Sequence, residues 1–313
     1  MNVVVLGPGA LGCVFGAALF RSGHDVTLLG RSSPHLDALR ASGLRLERID
    51  GTVEHLAIPA AADPRIAAKA ELILVLVKAA DTSAAARAIA PYAHDGQVLL
   101  TLQNGLGNAE RIRAEAGPGS CVLSGVTSQG ATRLAPGSVR HAGEGPTVLG
   151  GTLGNGRDLS GAREIAAVLT AAGLPAAAVP DIATSIWRKL AVNAAINGLT
   201  ALAGVKNGMI ASDTGLLGAA EIVAEEAAAV ARAQGWELGG MREQIVTTAV
   251  ATAENRSSML QDLDAGRPTE VGAIHESILA AGQEAGVGAP ATAVLAALIR
   301  AREQARQEAG RRS

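Results

Sequence analysis

Short apolar runs alternate with helix-length segments along residues 1–151. The first run, residues 2–6, is followed by a glycine-containing turn and then by apolar positions at helical spacing as far as Ser22. Short apolar runs bounded by turn residues are typical of buried parallel strands. Further strands are predicted at residues 25–30, 44–49, 54–59, 71–77, 96–105, 121–126 and 147–151. Strands that alternate with helices predict an α/β domain with a doubly wound, mostly parallel sheet.

The pattern changes after about Pro180. From there on, apolar residues recur at helical spacing, and no strand-like run separates them. The predicted helical segments are residues 183–203, 214–235, 240–254, 270–286 and 291–310. The stretch at residues 173–180, which contains Gly and Pro, is interpreted as the crossing between two domains. We therefore predict domains at residues 1–180 and 181–313, the second of them all-α.

Length and charge bound the possible partners. A chain of 313 residues exceeds the length of most single domains, in agreement with this division. It carries 27 basic and 29 acidic residues, a net charge of −2, and only 2% aromatic residues. This composition provides no basic excess for a nucleic acid or an anionic membrane, and few rings for stacking on bases. Small-molecule partners are therefore favoured.

Three further sequence features indicate what the protein is not. They are the spacing of the histidines, the spacing of the cysteines and the position of the first positive charge. The six histidines never occur at the short spacings of metal sites, so no metal is predicted. The two cysteines lack such spacing too, and two thiols in a chain of this length indicate a reduced, cytoplasmic protein. The apolar N-terminal stretch precedes the first arginine, Arg21, whereas a signal peptide needs positive charge before its apolar stretch.

The turn after the first predicted strand has the spacing GxGxxG, as Gly7-Pro8-Gly9-Ala10-Leu11-Gly12. In dinucleotide-binding domains the first glycine makes the tight turn, the second lets the backbone approach a pyrophosphate, and the third lets the helix pack on its strand. The motif alone is a weak signal, because the chain contains 38 glycines. Its position between a strand and a helix favours a Rossmann-type dinucleotide site over an ordinary glycine-rich turn.

The end of the second predicted strand indicates which dinucleotide is bound. It reads Gly30-Arg31-Ser32-Ser33, without the acidic residue that is usual in NAD-binding chains. An acid would repel a 2′-phosphate, whereas the Arg31 guanidinium would bind one, so NADPH/NADP is the predicted cofactor. Lys78 and Asn104 follow two later strands, at the edge where open α/β sheets bind ligands. Taken singly, each of these residues could also be an ordinary loop residue.

Three polar residues interrupt the apolar helix predicted at residues 183–203. Lys189, Asn193 and Asn197 recur every four residues, which places them on one stripe about 80° wide. Burial of these side chains without partners would be unfavourable, so the stripe is predicted to line a hydrated cleft. An exposed helix face is the alternative, although such faces usually carry charges of both signs. Ser258 and Glu270 flank a later turn, and physical reasoning alone assigns them no role.

Together these residues resemble the ketopantoate reductase family, the 2-dehydropantoate 2-reductases, over essentially the whole chain. The segments that carry the resemblance are GxGxxG with Arg31, VKA at 77–79, QNG at 103–105, WRKLAVNAAINGLTAL at 187–202, Asn207 and SSMLQDLDAGRPTE at 257–270. The resemblance implies an N-terminal Rossmann domain, an all-α C-terminal domain and an active site in the interdomain cleft. It also implies NADPH-dependent reduction of 2-dehydropantoate (ketopantoate) to (R)-pantoate, a step of pantothenate and coenzyme A biosynthesis.

The resemblance implies roles for individual residues as well. Lys189 matches the catalytic lysine, which would stabilise and protonate the alkoxide formed when hydride reaches the C2 carbonyl. Glu270 matches the glutamate that orders substrate and cofactor near that lysine. The implied substrate-binding residues are Asn193, Asn197, Asn207 and Ser258. The predicted cofactor-binding residues are Gly7, Gly9, Ala10, Leu11, Gly12, Arg31, Lys78 and Asn104.

The resemblance has one departure and leaves alternatives open. Gly198 follows Asn197 where many family members have proline, which changes helix stiffness more than chemistry. One alternative is an NADPH-dependent reductase of another 2-oxo acid or of an imine. Another is a protein that senses NADP(H) without turnover, against which the pair of Lys189 and Glu270 argues. The expected partner is a small 2-oxo acid, and the expected assembly is a monomer or a homodimer.

Overall fold

The structure, a computed structural model, describes residues 1–117, 120–151 and 156–312. Within these ranges no helix combines the length and the apolar character needed to cross a lipid bilayer.

The described chain forms two compact units. The N-terminal unit contains residues 1–103 and 107–182, and the C-terminal unit contains residues 104–106 together with the chain from residue 183 onward. The short segment 104–106, which the sequence pattern assigns to the first domain, therefore groups with the helical part of the chain.

The N-terminal unit contains strands and helices in alternation. Its described strands are β1 (Asn2–Leu6), β2 (Asp25–Leu29), β3 (Leu44–Glu47), β4 (Val53–Leu56), β5 (Ala60–Ala61), β6 (Leu72–Val75), β7 (Val98–Thr101), β8 (Cys121–Thr127), β9 (Gly130–Ala135), β10 (Ser138–Gly143), β11 (Thr147–Gly151) and β12 (Ala176–Ala178). Its described α-helices are α1 (Ala10–Arg21), α2 (Pro34–Ser42), α3 (Thr82–Ile89), α4 (Asn108–Ala116) and α5 (Gly156–Ala171). Short 3₁₀ turns lie at Pro64–Lys69, Ala79–Asp81 and Ala90–Tyr92.

Eight of these strands form the main sheet, in the order β12-β11-β8-β7-β6-β1-β2-β5. Neighbouring strands are parallel except for β8 and β11, which are antiparallel. Alternate residues of β1 pack on opposite faces: Val3 and Val5 face a cluster with α1 and α5, whereas Val4 and Leu6 face a cluster with α3 and α4. Helices on both faces explain why the sequence of β1 is apolar without alternation. The predicted doubly wound, mostly parallel sheet is confirmed.

A second, four-stranded sheet has the order β4-β3-β10-β9. The sequence predicts β3 and β4 but not β9 and β10, because most side chains of these two strands are partly or fully exposed and form no apolar run. The stretch at residues 173–180, interpreted as an interdomain crossing, contains β12. Its three alanines give little strand signal of their own, and pairing with β11 orders them.

The described part of the C-terminal unit is all-helical, as predicted. Its helices are α6 (Ile182–Ala203), α7 (Gly208–Ser212), α8 (Thr214–Ala233), α9 (Met241–Ala251), α10 (Ser258–Asp264), a π-helical segment (Gly272–Glu276), α11 (Ser277–Ala285) and α12 (Pro290–Arg312). Alanines of α6 and α8 supply much of its buried core, which permits close helix packing. Trp187 and Trp236 pack in the same unit, with ring centroids 6.4 Å apart.

Candidate functional site

The turn after β1 has backbone geometry typical of a dinucleotide site. Gly7 has a φ of 103°, and a Cβ atom there would lie 2.4 Å from the backbone nitrogen of Val77. A Cβ atom at Gly12 would lie 2.3 Å from the carbonyl oxygen of Gly7. Neither position leaves room for a side chain. A Cβ atom at Gly9, by contrast, would have no heavy atom within 4 Å.

The open space at Gly9 lies at the N terminus of α1. The helix begins at Ala10, and its first turn carries no acidic side chain. The N–H groups at the start of a helix, here those of Ala10 and Leu11, have no partner within the helix and carry the positive end of its dipole. Bare backbone beside such N–H groups suits phosphate oxygens. The residues of this turn therefore fit the pyrophosphate of a dinucleotide.

Arg31 and Lys78 follow β2 and β6, the two strands that flank β1. Nη2 of Arg31 donates to Oδ2 of Asp81 at 3.0 Å, and the Arg31 side chain stays 83% exposed. The N–H of Asp81 donates to the carbonyl oxygen of Lys78 at 2.8 Å. The structure thus brings Arg31 and Lys78 to one edge of the sheet. Asp81 links them, and no motif in the sequence points to it.

The pairing of Arg31 with Asp81 leaves the arginine available to a ligand. Exposed ion pairs contribute little to stability, because water and salt screen both charges. A phosphate group could therefore replace Asp81 as the partner of the guanidinium at small cost, and its own charge would favour the exchange.

Two buried side chains, those of Cys13 and His35, lie next to the glycine turn. The Cys13 thiol donates to the carbonyl oxygen of Pro8 at 3.4 Å and lies 3.7 Å from Nε2 of His35. Burial raises the pKa of Cys13 to about 12, so the thiol stays protonated and unreactive. Both Cys13 and Cys121 are free cysteines. Across the described ranges, no group of three or more His, Cys, Asp or Glu side chains could hold a metal ion.

The polar stripe of α6 lies beside the core of the C-terminal unit. Lys189 and Asn193 are largely buried but keep some solvent exposure, and Asn197 is buried. The residues on the other faces of α6, such as Leu190 and Ile196, are buried in the core. This division explains how an apolar helix can carry three polar residues on one side.

Asn104, Lys189 and Glu270 come together from three distant parts of the chain. Nδ2 of Asn104 donates to Oε2 of Glu270 at 3.0 Å. Burial lowers the pKa of Lys189 to about 8, although the charge of Glu270 opposes part of that shift. A lysine with this pKa is mostly protonated at neutral pH and gives up its proton more readily than an ordinary lysine. We call these three residues the Lys189 cluster.

Asn207 and Ser258 occupy different surroundings in the same unit. Asn207 is buried, its Nδ2 donates to Oγ1 of Thr252 at 3.0 Å, and its Oδ1 has no hydrogen-bond partner among the described residues. Ser258 is exposed at the start of α10. The preceding Ser257 is buried, caps α10 by accepting from the N–H of Leu260, and accepts from Oγ1 of Thr200 at 2.8 Å. Ser257 is not among the residues predicted from the sequence, although a serine directly before a helix is a recognisable N-cap.

Two family models match the chain. "Ketopantoate reductase PanE/ApbA" matches residues 3–154, and "Ketopantoate reductase PanE/ApbA C terminal" matches residues 181–303. The chain belongs to the ketopantoate reductase family. The family is therefore confirmed, and so is the implied order of an N-terminal Rossmann domain and an all-α C-terminal domain. The active site in the interdomain cleft stays a prediction.

Full-length relatives and solved structures agree with this membership. The chain is 40% identical to the 2-dehydropantoate 2-reductase of Halobacterium salinarum over 96% of this chain and 98% of that protein. It is 38% identical to the enzyme of the same name from Archaeoglobus fulgidus, over 96% and 97%. A ketopantoate reductase structure from Ralstonia eutropha has a TM-score of 0.87, 33% identity and coverage of 98% and 100%. D-mandelate dehydrogenase with NADH and anilino(oxo)acetate has a TM-score of 0.91, 26% identity and coverage of 98% and 99%.

Proposed function

We propose that this member of the ketopantoate reductase family is an NADPH-dependent enzyme that reduces ketopantoate to (R)-pantoate. The observation that carries the proposed chemistry is the Lys189 cluster. Lys189 releases its proton readily, and the Glu270 carboxylate and the Asn104 amide would orient its ammonium group. Full-length relatives named 2-dehydropantoate 2-reductase support the choice of substrate. The N-terminal unit would act as the NADP-binding domain, and the C-terminal unit as the catalytic domain.

Lys189 is proposed to act as the general acid. NADPH, which the glycine turn, Arg31 and Lys78 would hold, would supply a hydride to the C2 carbonyl carbon of the substrate. The carbonyl oxygen gains negative charge as the hydride arrives, and the Lys189 ammonium stabilises this charge and transfers one proton to it. Glu270 keeps the ammonium oriented and partly offsets its loss of hydration. The product is the 2-hydroxy acid, and Lys189 regains its proton from water.

The remaining proposed residues bind the two reactants. Substrate contacts are assigned to Asn193, Asn197, Asn207 and Ser258, whose amide and hydroxyl groups suit a hydroxylated carboxylate. Cofactor contacts are assigned to residues 7, 9, 10, 11 and 12 of the glycine turn and to Arg31, Lys78 and Asn104. Arg31 would bind the 2′-phosphate, which makes NADPH the proposed cofactor in preference to NADH. The two free cysteines suit a reducing compartment, and we propose that the protein works in the cytoplasm.

A second candidate is an oxidoreductase of another 2-oxo acid. The similarity to D-mandelate dehydrogenase, a structure with NADH, favours it. The Lys189 cluster suits this chemistry equally well, because every 2-oxo acid develops the same alkoxide at C2. The side chain of the substrate, and not the reacting carbonyl, distinguishes the two candidates.

A substrate panel tests the proposal. NADPH oxidation would be followed with ketopantoate, with 2-oxo acids that lack its hydroxyl group or its two methyl groups, and with an aryl 2-oxo acid. We expect the highest kcat/KM with ketopantoate. A higher kcat/KM with the aryl substrate would move the assignment to the second candidate. NADPH binding without turnover of any member of the panel would indicate a sensor of NADP(H).

A further inference from the structure

His275 is a buried histidine that the proposed reaction does not use. It lies in the π-helical segment that follows Glu270, and its side chain is fully buried. Its Nε2 lies 3.0 Å from the carbonyl oxygen of Ala194 in α6. A carbonyl oxygen can only accept, so Nε2 carries the proton and donates it. Nδ1 is buried and has no hydrogen-bond partner among the described residues. The polar contact made by the ring therefore goes to the helix that carries Lys189.

The ring of His275 also packs on bare backbone at Gly198. A Cβ atom at Gly198 would lie 2.6 Å from Nε2 of His275 and 3.1 Å from its Cε1. The contact positions Ala194 and Gly198 are one helical turn apart, and each directly follows an asparagine of the polar stripe. His275 thus contacts α6 along the turn that carries Asn193 and Asn197. A side chain at position 198 would displace the imidazole from its present position.

The same π-helical segment contacts the loop that carries Asn104. Gly105 has a φ of 93°, and a Cβ atom there would lie 2.2 Å from the carbonyl oxygen of Ala273. The segment is also bonded to Glu270, since the N–H of Ile274 donates to the carbonyl oxygen of Glu270 at 2.9 Å. π-helical turns insert one residue into a helix and occur frequently at functional sites. One short segment therefore contacts all three parts of the chain that form the Lys189 cluster.

We propose that His275 is a positioning residue that holds α6 in register with the segment after Glu270. It acts through the backbone of α6, by its hydrogen bond to Ala194 and its contact with Gly198, and it touches no reacting atom. Slippage of α6 along this segment would move Lys189 relative to Glu270. The inference rests on the proposed function, in which Lys189 protonates the product.

Replacement of His275 by phenylalanine removes the donor and keeps a ring of similar size. We expect kcat for ketopantoate to fall about 10- to 100-fold, the effect of a misplacement of roughly 1 Å. The Kd for NADPH should stay unchanged. In His275→Gln the amide nitrogen can donate to Ala194, so this variant should recover most of kcat. Wild-type kcat in His275→Phe, or equal losses in both variants, would overturn the proposal.

Gly198→Ala tests the same contact from the side of α6, and it serves also if His275→Phe fails to fold. The added methyl group would meet the imidazole, whereas alanine favours a helix more than glycine does. Lost activity could therefore not be assigned to helix propensity. Gly218→Ala in α8 is the matched control, since a Cβ atom there has no heavy atom within 4 Å. We expect a fall in kcat of about 10-fold or more for Gly198→Ala and none for the control. Wild-type kcat in Gly198→Ala would contradict the proposal.

An NMR titration of the Lys189 ammonium group separates this proposal from the proposed function, because it needs no substrate. If α6 loses its register, Glu270 no longer raises the pKa of Lys189, which should fall below its value of about 8. The pKa should fall in His275→Phe and return in His275→Gln. An inactive wild-type protein would contradict the proposed function alone. An unchanged Lys189 pKa in His275→Phe would overturn the role of His275.

Discussion

The glycine turn of the N-terminal unit and the Lys189 cluster of the C-terminal unit are built from different parts of the polypeptide. The turn is made of backbone: Gly7 and Gly12 have no room for a side chain, and Gly9 leaves open space at the start of α1. The cluster is made of side chains from segments near residues 104, 189 and 270. A site formed by consecutive backbone can be read from a short motif, whereas a site formed by dispersed side chains depends on the whole fold.

This difference also separates the proposed functions of the two units. Binding of the reductant is assigned to the turn and Arg31, and proton transfer is assigned to the Lys189 cluster. Substitutions of the turn or of Arg31 should change cofactor affinity, and substitutions of Lys189 or Glu270 should change turnover. Asn104 is assigned both to the cluster and to a cofactor contact, so its substitution should change both. An Arg31 or Lys189 variant that changes both equally would contradict this separation.

The largest effect is expected for Lys189→Ala. Loss of the general acid should lower kcat about 10²- to 10⁴-fold, and the Kd for NADPH should stay near the wild-type value. Lys206→Ala is the matched control, because Lys206 is an exposed lysine of the same unit, paired with Glu254. Steady-state kinetics and fluorescence titration with NADPH provide the two readings. Retention of full turnover by Lys189→Ala would exclude it as the acid.

Arg31→Ala should give a smaller effect, confined to the cofactor. Loss of a charge-assisted contact with the 2′-phosphate is expected to raise the KM for NADPH about 10- to 100-fold, and the KM for NADH should change little. Arg65→Ala is the control, because Arg65 is likewise exposed and ion-paired in the N-terminal unit. An unchanged preference between the cofactors in Arg31→Ala would show that Arg31 does not read the 2′-phosphate.

The smallest of the expected effects is the change in activity with pH near neutrality. Burial lowers the pKa of Lys189 to about 8, and reduction requires its protonated form. The kcat/KM for ketopantoate should therefore be flat below this pKa and fall about tenfold per pH unit above it. Oxidation of pantoate by NADP⁺ requires the neutral lysine to accept a proton, so its rate should rise over the same range. Profiles in the two directions that do not mirror each other would contradict the assignment.

The fold was largely predictable from the sequence because buried strands and amphipathic helices carry strong local signals. β1, β2 and β6 appear as apolar runs, and the helical C-terminal half lacks such runs. The second sheet was only partly predictable, because β9 and β10 expose many side chains and depend on pairing for their order. The alanines of β12 gave no signal for the same reason.

The candidate site was predictable only where a motif or a family resemblance covers it. Asp81 and His275 belong to no motif: one is an acidic residue of a 3₁₀ turn that pairs with Arg31, and the other is a core histidine beside Gly198. Their contacts join residues 50 or more positions apart, and spacing along the chain contains no information on such pairs. From the sequence, glycine in place of proline at position 198 was expected only to change the stiffness of the helix. In the structure, Gly198 leaves room for the imidazole of His275.

The most direct test of the proposed function is kcat/KM for ketopantoate, measured with NADPH and with NADH under identical conditions. We predict turnover with ketopantoate, with kcat/KM at least about tenfold higher for NADPH, since one charged contact with the 2′-phosphate is worth that much. A higher value with NADH would contradict the role of Arg31. Failure to reduce ketopantoate with either cofactor would contradict the proposed function itself.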